Sequence, residues 1–171
     1  MRKIQFFLVF IGFMALLFWV VTLFLPSKIT VLRSVDIHAD ETRVAVQISN
    51  FSNWKNWYPA FSDSNVTIAI YRRNDTSFAS LINKESNKKA TLALLKPGTD
   101  SIQVLLPGDN EDYLFAIRPD GNGETQVTWF INLDLGKYPW KKFAGMFFDK
   151  ANGAKYEAVL NSLKKYIESA H

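Results

Sequence analysis

The chain has 171 residues, 48% of them apolar, a length that predicts one domain and is too short for two good-sized ones. Its formal charge is +4, but two of its 20 basic residues, Arg2 and Lys3, precede a hydrophobic segment, which leaves 18 against 16 acidic residues. This near balance argues against a nucleic-acid partner, which needs basic residues gathered on one face. The absence of cysteine excludes disulfides, thiolate nucleophiles and a lipidated cysteine.

The most hydrophobic segment, residues 4–25, is an uncharged run of 22 residues. As a helix it would be about 33 Å long, which matches the roughly 30 Å hydrocarbon core of a bilayer. A cleaved signal peptide would have a shorter apolar core followed by small residues, whereas residues 23–25 are Leu, Phe and Leu. We therefore predict an uncleaved transmembrane anchor over residues 1–26, followed by a single domain over residues 27–171.

Basic residues flank this anchor: Arg2 and Lys3 precede it, and Lys28 and Arg33 follow. Together with the amino terminus, they favour a cytoplasmic N-terminus by the positive-inside rule, with the domain on the extracytoplasmic side of the membrane. The protein is thus predicted to cross the membrane once. About four residues separate Pro26 from the first strand and reach roughly 14 Å when extended, so the domain should lie against the membrane surface.

The first part of the domain is predicted to hold one strand and two short helices. Alternating apolar residues predict the strand over residues 29–39. The Asp40 carboxylate can then cap a helix over residues 41–50, because it can accept from the unpaired amides of the first turn. A second short helix, about residues 51–57, should stop before Pro59, since proline pushes the preceding residue out of helical geometry.

The middle of the chain alternates between apolar and polar residues and turns at Asn-Asp, Pro-Gly and Asp-Gly pairs. This pattern predicts six sequential strands, at residues 66–72, 78–85, 89–96, 101–106, 112–118 and 124–134. The C-terminal segment, residues 138–171, has apolar residues at helical spacing along one face. Because glycine weakens a helix interior, the Asn152-Gly153 pair divides this predicted helix into pieces of about 139–149 and 151–168.

Six sequential strands joined by tight turns predict an antiparallel meander, and the single first strand can pair only with an edge of it. The apolar stripe of the C-terminal helix needs a partner, which only this sheet can supply. The predicted fold class is α+β: one transmembrane helix, then a curved antiparallel seven-stranded sheet wrapped around a long C-terminal helix, in the order β-α-α-β6-α. Such a sheet encloses space against the helix, and spaces of this kind commonly become ligand cavities.

Several short strings of the sequence support this arrangement. They are RSVDIHA at residues 33–39, WKNWYP at 54–59, TW at 128–129, YEAVL at 156–160 and LKKYIE at 163–168. In their order and spacing they resemble the START-like helix-grip superfamily (SRPBCC), which includes polyketide cyclases/dehydrases, plant pollen allergens and lipid-transfer domains. The resemblance covers about residues 29–168 and implies a deep apolar cavity between sheet and helix, with no common catalytic residues.

The sequence departs from that family pattern at two points. The membrane anchor is additional to the family's core fold. Asp40 stands where proline or another small residue is frequent in the family, which affects only the helix cap.

Aromatic residues are the richest candidate site signal, because their size suits both an ordinary core and a cavity for an apolar or ring-containing molecule. Arg33, Tyr71, Arg72 and Arg118 lie in predicted strands, where their polar ends could orient such a ligand or face solvent. The sequence does not choose between these interpretations. The predicted cavity residues are Trp54, Trp57, Tyr58, Tyr71, Phe115, Trp129, Ile131, Trp140, Phe143 and Phe147.

Catalytic machinery is sparse in the sequence. His38 and His171 are the only histidines, which argues against a Ser-His-Asp triad and a histidine metal cluster. The Gly-Asn-Gly sequence lies in a predicted hairpin, so no phosphate-binding loop is predicted. Carboxylates that fall in predicted turns are interpreted as solvated, namely Asp109, Glu111, Asp112 and Asp120. No catalytic residue, cofactor or metal is predicted.

The leading hypothesis is a non-enzymatic, membrane-anchored domain that binds a hydrophobic small molecule or lipid. Its predicted partners are that molecule and the membrane, through residues 4–25. The alternatives are a cyclase, dehydrase or hydrolase and a protein-interaction module. The enzyme would use an acid or oxyanion stabiliser chosen from Tyr71, Arg72, Tyr113 and Arg118, and the interaction module would expose an apolar patch on the convex face of the sheet.

Overall fold

The computed structural model describes residues 2–97, 100–107 and 110–169. Two of the predicted Pro-Gly turns include Gly98 and Gly108, which lie outside the described residues, as does Asp109. The elements are α1 (Arg2–Leu23), β1 (Lys28–Ile37), α2 (Glu41–Ile48), α3 (Phe51–Trp54), α4 (Pro59–Ser62), β2 (Val66–Arg73), β3 (Thr76–Asn83), β4 (Lys89–Pro97), β5 (Ser101–Leu105), β6 (Glu111–Pro119), β7 (Thr125–Asp134), α5 (Pro139–Gly145) and α6 (Phe148–Ser169).

The seven strands form one antiparallel sheet in the order β1-β7-β6-β5-β4-β3-β2. Short turns pair the six sequential strands with their neighbours, as predicted. The β2–β3 turn, for example, consists of Asn74 and Asp75, whose φ angles of 48° and 61° are those that a tight hairpin turn requires. β1 pairs with the edge strand β7 from Lys28 opposite Asp134 to Ile37 opposite Thr125. The predicted fold class and strand order are confirmed.

Helix α6 covers the concave face of the sheet and supplies one wall of the core. Its buried residues recur at helical spacing and include Tyr156, Val159, Leu163 and Ile167. Helices α2, α3 and α4 close the core on another side. The predicted cap of α2 is present, since the amide of Arg43 donates to Asp40 Oδ1 at 2.9 Å.

The predicted interruption of the C-terminal helix at Asn152-Gly153 is wrong. The chain breaks earlier, at residues 146–147 between α5 and α6, and Gly153 lies buried inside α6. A Cβ atom at Gly153 would collide with the Arg33 guanidinium and the Asp149 carboxylate. The glycine therefore serves the close approach of α6 to β1, a tertiary contact that overrides its low helix propensity.

Helix α1 stands apart from the sheet and leaves nearly all of its side chains exposed. The most apolar stretch of 18 residues in this helix has a mean hydropathy of 2.7, and the helix is long and apolar enough to cross a membrane. Its C-terminal end touches α5: the rings of Phe18 and Phe143 lie 5.8 Å apart, edge to face. Lys142 Nζ donates to the carbonyl oxygen of Leu25 at 3.1 Å.

Candidate functional site

The space between the sheet and α6 is filled largely by aromatic rings, which we call the interior aromatic cluster (Trp54, Trp57, Tyr58, Phe115 and Trp129). Trp54 stacks on Tyr58 with ring centroids 5.1 Å apart, and Phe115 stacks on Trp129 at 5.0 Å. Phe115 and Trp129 meet because they are paired on β6 and β7 and both point to the concave face. Such offset contacts contribute beyond simple burial, so this cluster is a structural core as well as a candidate site.

The three indole N–H groups of this cluster differ in their hydrogen bonding. Trp54 Nε1 donates to the carbonyl oxygen of Ile48 at 2.8 Å, and Trp57 Nε1 donates to that of Gln47 at 3.4 Å. Trp129 Nε1 is buried and has no acceptor among the described residues. Leaving a buried donor unpaired costs about 1–3 kcal/mol.

A polar network, here called the tyrosine–glutamate cluster (Tyr58, Tyr113, Tyr156 and Glu111), lies beside Trp129. The Tyr156 hydroxyl donates to Glu111 Oε1 at 2.8 Å. The hydroxyls of Tyr58 and Tyr113 interact with each other and with the Glu111 carboxylate. The Trp129 ring touches Tyr113 and Tyr156, each edge to face with centroids 5.1 Å apart.

The surroundings of these tyrosines keep their hydroxyls protonated. Burial first, and then the Glu111 charge, raises the pKa of Tyr58 to about 12. Burial with the neighbouring Tyr58 and Glu111 raises the pKa of Tyr113 still further, and burial with Glu111 also raises the pKa of Tyr156. At neutral pH the three groups therefore act as hydrogen-bond donors and not as phenolate bases.

Next to this network the structure leaves a pocket of about 610 Å³, here called the anchor-side pocket. It lies where β1 and β6 begin and β5 and β7 end, the end of the sheet to which α1 is joined. A volume of this size is within the range of small-molecule sites. Its walls are partly apolar and partly charged, and they comprise Lys28, Ile29, Thr30, Leu105, Leu106, Pro107, Asn110, Glu111, Asp112, Asn132, Leu133 and Asp134.

Glu111 belongs to both features, because it lines the pocket and accepts from Tyr156. It lies on the inward face of β6, in line with Tyr113 and Phe115 and opposite Leu133 of β7. On the outer face, Thr30 Oγ1 donates to Asn132 Oδ1 at 2.7 Å and Asn132 Nδ2 donates to Asp112 Oδ2 at 3.1 Å. These hydrogen bonds tie β1, β7 and β6 together at the rim of the pocket.

The structure brings six of the ten predicted cavity residues into the interior or its wall. These are Trp54, Trp57, Tyr58, Phe115, Trp129 and Ile131. Of the polar candidates, Arg33 reaches the concave side and pairs with Asp149, whereas Arg72 and Arg118 are exposed.

The other four predicted cavity residues lie on the surface instead. Tyr71, on the far edge strand β2, is 47% exposed and stacks on Phe78. Trp140, Phe143 and Phe147 are 62%, 46% and 52% exposed. Their helical stripe turns away from the sheet because the chain breaks after α5, which packs beside α1.

Glu111 is the main residue of this site that the sequence interpretation missed. It was assigned to a solvated turn, but β6 begins one residue earlier than predicted and places it on the inward face with Tyr113 and Phe115. The alternation of residues 111, 113, 115 and 117 was a signal that could have found it. Among the described residues, no group of three or more His, Asp or Glu side chains gathers in a way that could hold a metal ion.

No family model matches the sequence, and no curated protein matches it. Solved structures with the same fold include a START superfamily protein from Mycobacterium smegmatis, which is 17% identical with a TM-score of 0.58, covering 83% of this chain and 99% of that one. The Zhui aromatase/cyclase from Streptomyces sp. R1128 is 12% identical with a TM-score of 0.57, covering 82% and 94%.

A third similar structure is norcoclaurine synthase from Thalictrum flavum in complex with dopamine and hydroxybenzaldehyde. It is 6% identical with a TM-score of 0.59, and the match covers 84% of this chain and 88% of that one. Likeness at these identities concerns the fold, whereas function belongs to the site. The seven-stranded sheet, the C-terminal helix that it grips and these matches together establish that the chain has the START-like helix-grip fold.

Proposed function

We propose that this chain is a membrane-anchored protein that binds a hydrophobic small molecule or lipid, with residues 1–26 as the anchor and residues 27–171 as the binding domain. One observation carries the proposal. The anchor-side pocket meets the tyrosine–glutamate cluster at Glu111, so an opening with both apolar and polar walls adjoins a set of buried hydrogen-bonding groups. Largely apolar walls with a few convergent polar groups are the usual composition of a ligand site.

The chemistry of the pocket defines the ligand that it would take. Ile29, Leu106 and Leu133 offer apolar wall for a hydrocarbon or ring portion. The polar portion would meet the Glu111 carboxylate, which lines the pocket and also accepts from the Tyr156 hydroxyl of the tyrosine–glutamate cluster. The ligand is therefore amphipathic, with a small hydrogen-bonding group attached to a larger apolar body.

The membrane next to the anchor is the proposed source of this ligand. The first residue of β1, Lys28, lines the pocket and follows shortly after the end of α1 at Leu23. If α1 spans a membrane, the pocket lies within a short chain length of the bilayer, where apolar molecules are concentrated. A short tether of this kind favours exchange with the membrane over capture from bulk water.

Native mass spectrometry of the full chain, extracted in mild detergent, tests the proposal. We expect co-purifying apolar molecules to be detected on the wild-type protein. In a Leu105→Trp variant the larger side chain should fill the anchor-side pocket and reduce the bound fraction, whereas Ile82→Trp, at an exposed apolar position outside this pocket, should not. A reproducibly empty wild-type protein, or equal loading of the two variants, would overturn the assignment.

We also propose that the domain lies on the extracytoplasmic side, on the strength of Arg2 and Lys3 at the N-terminal end of α1. Protease added to right-side-out membrane vesicles should digest the domain while a soluble protein enclosed within them stays intact. Protection until detergent is added would place the domain on the opposite side. That result would leave the ligand-binding proposal unchanged.

A second candidate function, an enzyme of the cyclase or dehydrase type, is favoured by the convergence of three hydroxyls on one carboxylate. Protonated Tyr58 and Tyr113 could stabilise a developing oxyanion. The test is to return the extracted molecule, in excess, to purified protein and to analyse it by mass spectrometry. Conversion that a Tyr113→Phe variant loses supports an enzyme, whereas recovery of the molecule unchanged supports binding alone.

A further inference from the structure

The segment after β7 presents a row of large apolar side chains to the outside, which we call the α5 face (Tyr138, Trp140, Phe143, Met146 and Phe147). Each of them is between 46% and 62% exposed. Trp140, Phe143 and Phe147 recur at helical spacing, and the Phe143 and Phe147 rings touch at 5.6 Å. Contiguous exposed apolar surface of this kind marks an interaction site in soluble proteins.

Contacts with α1 identify what covers this face. Phe143 lies against Phe18, which precedes the end of α1 at Leu23 by five residues, or about 7.5 Å along a helix axis. Lys142 binds the carbonyl oxygens of Thr22 and Leu25, at 3.4 and 3.1 Å, and so caps the C-terminal end of α1. An element that touches a spanning helix at this depth must itself lie below the membrane surface.

We infer that the α5 face inserts into the leaflet from which α1 emerges, so that the lipid bilayer itself covers these side chains. This inference rests on the proposed anchoring by α1. The depth agrees with that of interfacial helices, which bury their apolar face about 5–10 Å into the boundary between headgroups and acyl chains. Trp and Tyr at the edge of the face are the residue types enriched at membrane interfaces.

Charged residues around the α5 face fit the same occupant. Lys137 and Lys141 are exposed, and Lys141 Nζ lies 5.5 Å from the centre of the Tyr138 ring. Lysines beside such a face can reach the phosphate oxygens of lipid headgroups while their stems cover apolar surface. No acidic residue interrupts the sequence from Lys137 to Phe148. The face is therefore suited to a leaflet that contains anionic lipid.

Insertion of the α5 face also orients the anchor-side pocket. The domain is then held to the membrane at two points, through α1 before β1 and through α5 after β7. Those two strands pair side by side, and their membrane-proximal ends, Lys28 and Asp134, line the pocket. The pocket is thereby held at the bilayer surface instead of swinging on a single tether.

Spin labels on introduced cysteines can measure the depth of this face in the full chain, because the natural sequence contains no cysteine. Single variants Phe143→Cys, Met146→Cys and Phe18→Cys would be labelled in nanodiscs of phosphatidylcholine and phosphatidylglycerol. The matched control is Val46→Cys, a 50% exposed apolar residue on α2, beyond the far end of β1. Collisions with oxygen, which dissolves in lipid, are compared with collisions with a water-soluble nickel chelate.

We expect labels at 143 and 146 to collide preferentially with oxygen, as the label at 18 does, and the label at 46 to collide preferentially with the nickel chelate. Water-exposed labels at 143 and 146 beside a lipid-exposed label at 18 would overturn insertion while leaving the anchor in place. A water-exposed label at 18 would overturn the anchor and the insertion together. Two label positions on the α5 face ensure that local disturbance at one of them does not decide the result.

Discussion

Trp129 and Trp140 lie in neighbouring elements of the chain and have opposite surroundings. Trp129 is fully buried and touches Tyr113, Phe115 and Tyr156, whereas 62% of Trp140 is exposed and its ring stacks on that of Tyr138. Both belong to stretches rich in aromatic residues at regular spacing. The difference lies in the partner: the interior aromatic cluster faces a sheet and a helix of its own domain, whereas the α5 face touches α1 and is otherwise exposed, with the bilayer as its proposed cover.

This contrast shows that a regular pattern of aromatic residues identifies a surface that tends to be buried, but it does not identify the element or environment that buries it. A buried ring contributes to the free energy of unfolding, whereas a ring that lipid covers contributes to the attachment of the domain. Substitutions should therefore separate the two regions by the property that each one changes.

The largest difference is expected between Trp129→Ala and Trp140→Ala. Removal of the Trp129 ring would leave a cavity in the packed core and lower the free energy of unfolding by about 3–5 kcal/mol. The same change at the exposed Trp140 should alter it by about 0.5 kcal/mol or less. Urea denaturation of the full chain in mild detergent, followed by circular dichroism, measures both. Similar losses at the two positions would show that the α5 face is part of the core.

Alkaline pH should weaken the interior through its tyrosines. The pKa values of Tyr58, Tyr113 and Tyr156 are raised in the folded protein, so all three retain their protons above pH 10, where unfolded tyrosine loses its own. Their contribution is complete below pH 10 and is lost as the pH rises towards the folded pKa values. Between pH 10 and 11 the titration of each group should lower the free energy of unfolding by about 1 kcal/mol, so that the three together lower it by about 3 kcal/mol.

Urea denaturation at pH 8, 10 and 11 measures that loss. In a Tyr113→Phe variant the loss between pH 10 and 11 should be smaller by about a third, since one of three titrating groups is gone. Lysine ionisation affects both proteins alike and cancels from their difference. An identical pH dependence in the two proteins would show that the Tyr113 hydroxyl ionises in the folded state as it does in the unfolded chain.

Within the interior, Trp54→Phe should be more destabilising than Trp129→Phe by about 1–3 kcal/mol. Both changes shrink a buried ring, but the first also leaves the Ile48 carbonyl without its indole donor, and the second removes a donor without an acceptor among the described residues. The comparison is made by denaturation of the two variants without added ligand. Equal losses would indicate that Trp129 Nε1 has an acceptor, such as an ordered water.

The smallest effect concerns the contact of α6 with β1. Alanine favours a helix interior over glycine by about 1 kcal/mol, but at Gly153 its Cβ must displace the Arg33 guanidinium from Asp149. In the wild-type background, Gly153→Ala should therefore raise the free energy of unfolding by less than about 1 kcal/mol. In an Arg33→Ala background only the exposed Asp149 carboxylate has to move aside, so most of the gain of about 1 kcal/mol should return. The same gain in both backgrounds would show that Arg33 does not determine the presence of the glycine.

The sequence predicts most of the sheet because alternation and turn residues are local signals. Asn74 and Asp75 specify one hairpin, and the lone first strand had only an edge with which to pair. The site is predicted less fully because it depends on tertiary partners. β6 begins one residue earlier than predicted and so includes Glu111, whose side chain lies on the inward face. Gly153 lies against Arg33, which belongs to the distant strand β1. The helical spacing of Trp140, Phe143 and Phe147 shows that they share a face without showing what they face.

The pairing of β1 with β7 bears on the order of events during synthesis. Thr30 and Asn132, joined across these strands, are 102 residues apart in the chain. Contacts of such long range make folding slow, because a large loop must close before they form. Because β7 follows all the other strands, the edge of the sheet that β1 and β7 form should be completed after the rest of the meander, and until then it would be the part most open to chaperones and proteases.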